Sequence, residues 1–428
     1  MAVLILVPFF RYLYHSYIAM LSFPKEKINV LLLEGIHQNA VSYFQDRGYH
    51  SIEYVDHALD KKQLQKKIAD AHIVGIRSRT QLKTDVLQHA AKLGAIGCFC
   101  IGTNQVDLET ALHQGIVVFN APHSNTRSVA ELVLAEMIML KRGIFTKSKH
   151  MHEGIWNKSA RDSYEIRGKT LGIIGYGNIG SQLSILAENA GVQVIFYDTA
   201  AKLPLGNSRP VKSLKELLHL ADIVTLHVPQ TPETANMIGH AEIQAMKKGA
   251  ALINASRGNV VDIASLTAAL KNGHLSGAAI DVFPQEPSSN QEPFVSSLQN
   301  LDNVILTPHI GGSTLEAQAN IGVEVADKLI RYFDNGTTTT AVNFPEVALP
   351  VQTNRHRILH IHKNIPGVLG KVNQYFSALQ INIHAQYLQT FNDVGYVVLD
   401  VDPNTEASAA IITKLRAMPE TIRSRVLF

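Results

Sequence analysis

The stretch Leu171-Gly-Ile-Ile-Gly-Tyr-Gly-Asn-Ile-Gly180 places Gly175, Gly177 and Gly180 in the spacing Gly-x-Gly-x-x-Gly, after a short apolar run and at the start of a helical one. Read physically, a buried strand enters a tight turn and leaves as a helix. Gly175 allows the turn, Gly177 lets the backbone approach a pyrophosphate, and Gly180 lets the helix pack closely on the strand. Asn178 and Ile179 open that helix, whose first N–H groups and dipole attract phosphate. A glycine turn with a purely structural role is the competing reading of the motif in isolation. The next apolar run, however, ends at Asp198, eighteen residues beyond Gly180. A carboxylate there accepts from both ribose hydroxyls and repels a 2′-phosphate, which favours NAD over NADP.

Working outward, apolar runs at 171–174, 192–197, 223–228, 251–254, 277–280 and 304–306 alternate with helical stretches. One of these, 183–189, is closed by Gly191, where a left-handed cap is expected. Near-continuous apolar strands suit a parallel sheet buried on both faces. Residues 126–312 therefore read as a doubly wound Rossmann domain.

Upstream, 27–125 alternates in the same way, with a strand at 28–33, a helix from Asn39 and a strand at 73–76. This is a second parallel-sheet α/β domain. A helix at 315–333 returns the chain to it, so 313–335 completes that domain. Asn335-Gly336, four threonines and two prolines give 336–352 the chemistry of a linker. Beyond it, strands at 357–363, 381–390, 395–401 and 422–428 and helices at 368–379 and 407–418 give βαββαβ, a ferredoxin-like unit over 353–428.

Length and composition agree with this division. A chain of 428 residues exceeds one ordinary domain, and 46% apolar against 18% charged residues describes a globular protein with ample core. A net charge of +3 without a long basic run argues against nucleic acid as the main partner. Cys98 and Cys100, in Cys-Phe-Cys, are poorly spaced for a disulfide and have too few companion ligands for zinc. No metal is expected, and such cysteines fit a reducing cytosol. Residues 1–26 read as an N-terminal extension. The apolar run 2–10 lacks a preceding Lys or Arg and is too short to span a bilayer. It reads as an upstream start before a true initiator at Met20, with membrane anchoring as the minority view.

Polar residues recur at the ends of the Rossmann strands, where open parallel sheets bind ligands. Ala255, Ser256 and Arg257 follow one strand, Asp281 and then Glu286 another, and His309, Ile310, Gly311 and Gly312 a third. Hydride transfer between a 2-hydroxy acid and a nicotinamide requires an oriented carboxylate, a base for the hydroxyl proton and a partner for developing charge. Arg257 offers a planar donor fork for the carboxylate. His309 titrates near neutrality, and Glu286 can fix its tautomer and favour its protonated form. Singly, each would read as a surface ion pair or cap; three after successive strands of a nucleotide-binding sheet read as a site. His227, also at a strand end, reads as a lining residue.

With these motifs the sequence resembles the D-isomer-specific 2-hydroxyacid dehydrogenases from about Lys27 to Phe428. The likeness includes Ala255-Ser-Arg-Gly258, Asp281-Val-Phe, Pro308-His-Ile-Gly-Gly312, Ile101-Gly-Thr-Asn-Gln-Val-Asp107, Asn120-Ala-Pro and Ser124-Asn-Thr-Arg-Ser-Val-Ala-Glu131. The resemblance implies that Arg257 binds the carboxylate, that Glu286 partners the acid/base His309, and that Asn178, Ile179, Asp198, Ala255, Asp281, Gly311 and Gly312 contact the cofactor. It further implies a cytoplasmic homotetramer in which the cofactor domain interrupts the substrate domain. The substrate pair would be 3-phosphoglycerate and 3-phosphohydroxypyruvate, at the first step of L-serine biosynthesis, with 2-oxoglutarate reduction as a side activity. Arg77 and Arg79 suit the substrate phosphate, with solvated surface charge as the competing reading. Asn125 and Asn104 are weaker candidates for lining the same cleft. Two departures matter little to this likeness: His123 occupies a position often apolar in relatives, and residues 1–19 have no counterpart.

The C-terminal block resembles an ACT domain, an amino-acid-binding module. That resemblance assigns an L-serine effector to His362, Asn364 and Asn382, since amide side chains offer both donors and acceptors to a zwitterion. Two alternatives stay open: a dehydrogenase of another 2-hydroxy acid, and a non-enzymatic NAD-sensing co-repressor.

Overall fold

The computed structural model describes residues 24–287, 291–351 and 354–427; the expectations for the first nineteen residues lie outside them. The chain divides into two units, one running from His123 to Gln318 and the other formed by the segments on either side of it.

In the central unit the glycine-rich turn sits at the middle of a seven-stranded parallel sheet. Its strands are β6 (Thr170–Ile174), β7 (Gln193–Tyr197), β8 (Arg209–Pro210), β9 (Ile223–Leu226), β10 (Ala250–Asn254), β11 (Leu275–Ile280) and β12 (Val304–Leu306), in the order β12-β11-β10-β9-β6-β7-β8. The order reverses between β6 and β9, which is where a doubly wound sheet opens a ligand crevice. The strands are apolar on both faces because helices cover both, giving two cores around Leu252, Ile280 and Leu226 and around Ile173, Ile253 and Ala279. β9 stops at Leu226, two residues short of the expected end, as the chain runs into Pro229, which has no N–H for the ladder.

The turn itself explains its glycines. Gly175 has φ +90°, and a Cβ there would lie 2.3 Å from His227 O. A Cβ on Gly180 would lie 2.3 Å from Gly175 O, so helix and strand could not approach. Between them Tyr176 stacks on Phe196 with centroids 3.7 Å apart, and its hydroxyl meets Ser184 and Ser208 Oγ at 2.8 Å. The helix Asn178–Asn189 begins directly after Gly177 and ends before Gly191, which adopts φ +79°.

The other unit holds a five-stranded parallel sheet of β1 (Val30–Leu32), β2 (Ile52–Tyr54), β3 (Ile73–Ile76), β4 (Ala95–Cys98) and β5 (Val117–Asn120), in the order β2-β1-β3-β4-β5. The helix Leu315–Asn335 packs Val325, Leu329 and Ile330 into its core with Val30, Ile73 and Phe119. Cys98 is buried at the end of β4, and Cys100 Sγ lies 3.2 Å from Gly102 O.

The C-terminal βαββαβ block is an antiparallel sheet of β13 (His356–Lys363), β14 (Ile383–Phe391), β15 (Val394–Val401) and β16 (Thr421–Leu427), in the order β14-β15-β13-β16. Two helices, Val368–Ala378 and Thr405–Arg416, cover one face through Val372, Phe376, Ile411 and Leu415. The opposite face, through Leu359, Ile361, Tyr396 and Val398, shares a core with Phe344, Val117 and Tyr332.

That shared core changes the meaning of the segment expected to be a linker. Thr338, Asn343, Phe344 and Val347 are buried. Val342 N donates to Val118 O, Asn343 Oδ1 accepts from Val118 N at 2.9 Å, and Asn343 Nδ2 donates to Ile116 O at 3.0 Å. The segment thus pairs with β5 as a structural seam. A buried Arg357–Asp400 pair (2.6 and 2.8 Å) then anchors β13, while Arg357 Nη1 donates to Asn335 O and Pro350 O. The turn composition is real: Thr338 Oγ1 donates to Pro345 O and accepts from Val347 N within the segment, while Val342 and Asn343 tie it to β5.

Candidate active site

Three strand ends of the central unit build the site. After β10, the buried Asn254 fixes the backbone: its Oδ1 accepts from Ser256 N (3.1 Å) and Oγ (2.8 Å), and its Nδ2 donates to Arg257 O (3.0 Å). Gly258 brings this loop against the next, since a Cβ there would collide with the Phe283 carbonyl at 1.9 Å. Arg257 is thereby set beside the loop that carries Glu286.

After β11 stands Asp281, 1% exposed. Its Oδ1 accepts from Thr307 Oγ1 (2.6 Å) and Ile310 N (2.8 Å), its Oδ2 from Gly311 N (2.9 Å), and its carbonyl from His309 N (2.8 Å). Asp281 is the peg of the 307–311 loop. It holds His309 at φ +54°, a left-handed conformation that a β-carbon residue keeps only when its surroundings impose it.

His309 Nδ1 lies 2.8 Å from Glu286 Oε2, and Glu286 Oε1 accepts from Phe283 N at 3.1 Å. The hydrogen bond that His309 donates to Glu286 raises the imidazole's proton affinity above the ordinary histidine value; burial and the Arg257 charge oppose it, while the Glu286 and Asp281 charges support it. Burial pushes Glu286 up, but the hydrogen bond and charge of His309, the Phe283 N–H and the Arg257 charge prevail and hold it below the usual glutamate range. With Nδ1 committed to the carboxylate, Nε2 is the nitrogen that can exchange a proton with a hydroxyl.

Elements for a dinucleotide lie in the same unit. A Cβ on Gly177 would meet nothing within 4 Å, and no side chain caps the helix Asn178–Asn189. The turn therefore offers open space and uncapped N–H groups, the environment a pyrophosphate needs. Asp198 Oδ2 accepts from Tyr176 N (2.8 Å) and Oδ1 from Ala200 N (2.9 Å), which fixes its carboxylate at the end of β7 with lone pairs left for ribose hydroxyls. Ala255 and Ser256 are buried at the end of β10. A Cβ on Gly312 would lie 2.5 Å from Asn125 Nδ2, and Asn125 Oδ1 is buried with no hydrogen bond from the protein. These residues fit NAD.

Arg77 and Arg79 belong to the other unit, on the loop after β3. Sequence reasoning missed what organises them: Glu34, after β1, with φ +63°. Its carboxylate accepts from Arg77 N (3.2 Å), Arg79 N (3.0 Å) and Thr80 N (2.8 Å). The available signal was an acidic residue ending β1, the strand beside β3. Gln105 Nε2 donates to Arg77 O at 2.8 Å, and Asn104 gives its carbonyl to Lys83 Nζ at 2.7 Å.

The effector trio is not assembled within one chain. His362 pairs with Gly395 at one end of β15, whereas Ile383, the neighbour of Asn382, pairs with Val401 at the other. Six strand residues separate those ends by roughly 20 Å. His362 and Asn364 share one edge, with His362 Nδ1 bonded to Lys363 O (2.8 Å) and its Nε2 buried without a partner.

Residues 134–311 match the D-isomer specific 2-hydroxyacid dehydrogenase, NAD binding domain, and residues 358–423 match an AHAS small subunit-like ACT domain. The chain belongs to the D-isomer specific 2-hydroxyacid dehydrogenases, oxidoreductases that use NAD. Within that family it is 56% identical over 410 residues to D-3-phosphoglycerate dehydrogenase of Escherichia coli (strain K12), covering 96% of this chain and all of that one. D-3-phosphoglycerate dehydrogenase 1 of Saccharomyces cerevisiae is 50% identical, over 87% of this chain and 82% of its own. Among solved structures, D-lactate dehydrogenase from Aquifex aeolicus complexed with NAD and lactic acid superposes with a TM-score of 0.65 at 27% identity, covering 72% of this chain and 96% of that one.

Proposed function

We propose that this chain oxidises D-3-phosphoglycerate to 3-phosphohydroxypyruvate with NAD, and that L-serine inhibits it through the C-terminal domain. The carrying observation is the His309–Glu286 pair at 2.8 Å beside Arg257, on a sheet built for a dinucleotide.

Bound NAD supplies the hydride acceptor. Arg257 orients the substrate carboxylate with its donor fork. As the hydride leaves C2, His309 Nε2 takes the hydroxyl proton, and Glu286 stabilises the imidazolium that results. In the reverse direction the same imidazolium returns the proton to the carbonyl oxygen. Arg77 and Arg79, presented by the Glu34-organised loop, are assigned to the phosphate, and Asn125 to the substrate end of the cofactor site.

Since His362 and Asn364 lie far from Asn382 within one chain, a serine site using all three requires a second copy. This supports a homo-oligomer, read here as a tetramer in the cytoplasm. Among the described residues no helix is long and apolar enough to cross a membrane.

The test is a panel of kcat/KM values for 3-phosphohydroxypyruvate, 2-oxoglutarate, glyoxylate and pyruvate, with and without L-serine. The proposal expects the phosphorylated substrate to lead and serine to suppress turnover. Glyoxylate or pyruvate in the lead would assign another 2-hydroxy acid, and no turnover of any would favour an NAD-sensing role.

A further inference from the structure

His123 stands just before the helix Thr126–Arg142, and its carbonyl accepts from Thr126 N (3.2 Å) and Thr126 Oγ1 (2.7 Å), which fixes its backbone. Its Nδ1 lies 2.7 Å from Nδ2 of Asn178. Asn178 is the first residue of the helix that follows the glycine-rich turn. An amide nitrogen can only donate, so in this arrangement His123 Nδ1 accepts and the ring carries its proton on Nε2. Both side chains are exposed, and the space above Gly177 is open. Asn178 itself therefore stands at the edge of the region a pyrophosphate would fill, with its carboxamide orientation chosen by the histidine. Without that acceptor the amide could turn over, exchanging donor for acceptor toward an anion.

We propose that His123 is a further cofactor-positioning residue of this chain: it holds the Asn178 carboxamide with its nitrogen fixed, and through it sets affinity for the pyrophosphate of the cofactor. This rests on the reading that the pyrophosphate sits at the start of the helix Asn178–Asn189. The role belongs to hydrogen-bond geometry and needs no net charge on the ring.

The experiment measures dissociation constants by NADH fluorescence and by competition with ADP-ribose and AMP, on the full chain. His123→Phe should weaken NADH and ADP-ribose about five- to tenfold, the weight of one net hydrogen bond, and leave AMP, which lacks the pyrophosphate, unchanged. His123→Gln, whose Oε1 can accept from Asn178, should restore most of the affinity. Asn178→Ala should match His123→Phe, and the double variant should lose no more than either. Wild-type affinity in His123→Phe with a loss in Asn178→Ala would overturn the role of His123 but keep the pyrophosphate seat. Two silent variants would overturn the seat as well. An equal loss for AMP, or failure of His123→Gln to rescue, would show a structural effect and overturn the proposal.

Discussion

Glu286 Oε2 and His309 Nδ1 are 2.8 Å apart although 23 positions separate them in sequence, and His309 presents its ring there from a left-handed backbone, φ +54°. The pair sets the pH at which the imidazole changes charge. Oxidation needs neutral His309, so kcat/KM in that direction should rise with pH through a value above the ordinary 6.5. Glu286→Gln removes the charge that raises this affinity, so the limb should move to lower pH. Reductive turnover at pH 7 should fall because less imidazolium is present. pH profiles in both directions check this, and a limb that stays in place would detach Glu286 from His309.

Asp198 has two tasks, since the carboxylate expected to meet ribose also accepts from Tyr176 N in the glycine-rich turn. Asp198→Ala should weaken NAD binding and reduce its preference over NADP. Dissociation constants for both cofactors decide it; an unchanged ratio would reject the recognition role.

Arg77 and Arg79 are tested by comparing substrates. Replacing either with Ala should raise KM for 3-phosphohydroxypyruvate by about tenfold or more, from the loss of a charge-assisted contact, with glyoxylate little affected. Equal effects on both substrates would mean that the substitution disturbs the Glu34-organised loop instead.

Glu136, on the helix Thr126–Arg142, is 1% exposed and neither carboxylate oxygen has a hydrogen-bond partner. Burial, aided by the charge of Asp281, pushes its pKa up to about 8. An unfolded chain ionises this group near 4.5 while the folded one keeps its proton, so stability falls as pH rises from about 4.5 to about 8 and then levels off. Glu136→Gln should flatten that fall, a gain on the order of a few kcal/mol at pH 9. Denaturation at pH 5 and pH 9 measures it, and parallel curves for the two proteins would contradict it.

Asn343 bonds Val118 N and Ile116 O from within the segment 336–352. Asn343→Ala leaves these buried groups unpaired and should cost about 2–3 kcal/mol. A flexible tether would tolerate the change, so unaltered denaturation would restore the linker reading.

These cases show where sequence reasoning reached and where it stopped. Strands such as 304–306 were legible because a doubly covered parallel strand must be apolar throughout, and Arg257, Glu286 and His309 because each ends or follows such a strand. Glu34 was signalled only as an acidic residue after a strand, because the backbone N–H groups it accepts from belong to a loop distant in sequence. Asn254 bonds Ser256 and Arg257 within its own turn, a local pattern that the reading passed over. The Thr and Pro of 336–352 announced turns correctly, but could not reveal that Val342 and Asn343 bond to β5. Asn382 was assigned with His362 by likeness alone, and the antiparallel register puts the two at opposite ends of the sheet.

The most direct test of the central claim is reduction of 3-phosphohydroxypyruvate by NADH, followed for wild type and His309→Ala beside their NADH dissociation constants. The account predicts robust wild-type turnover, a loss of about 10² to 10⁴ in kcat for the variant, and nearly equal cofactor affinity. Turnover by His309→Ala at the wild-type rate, or none by the wild type, would contradict it.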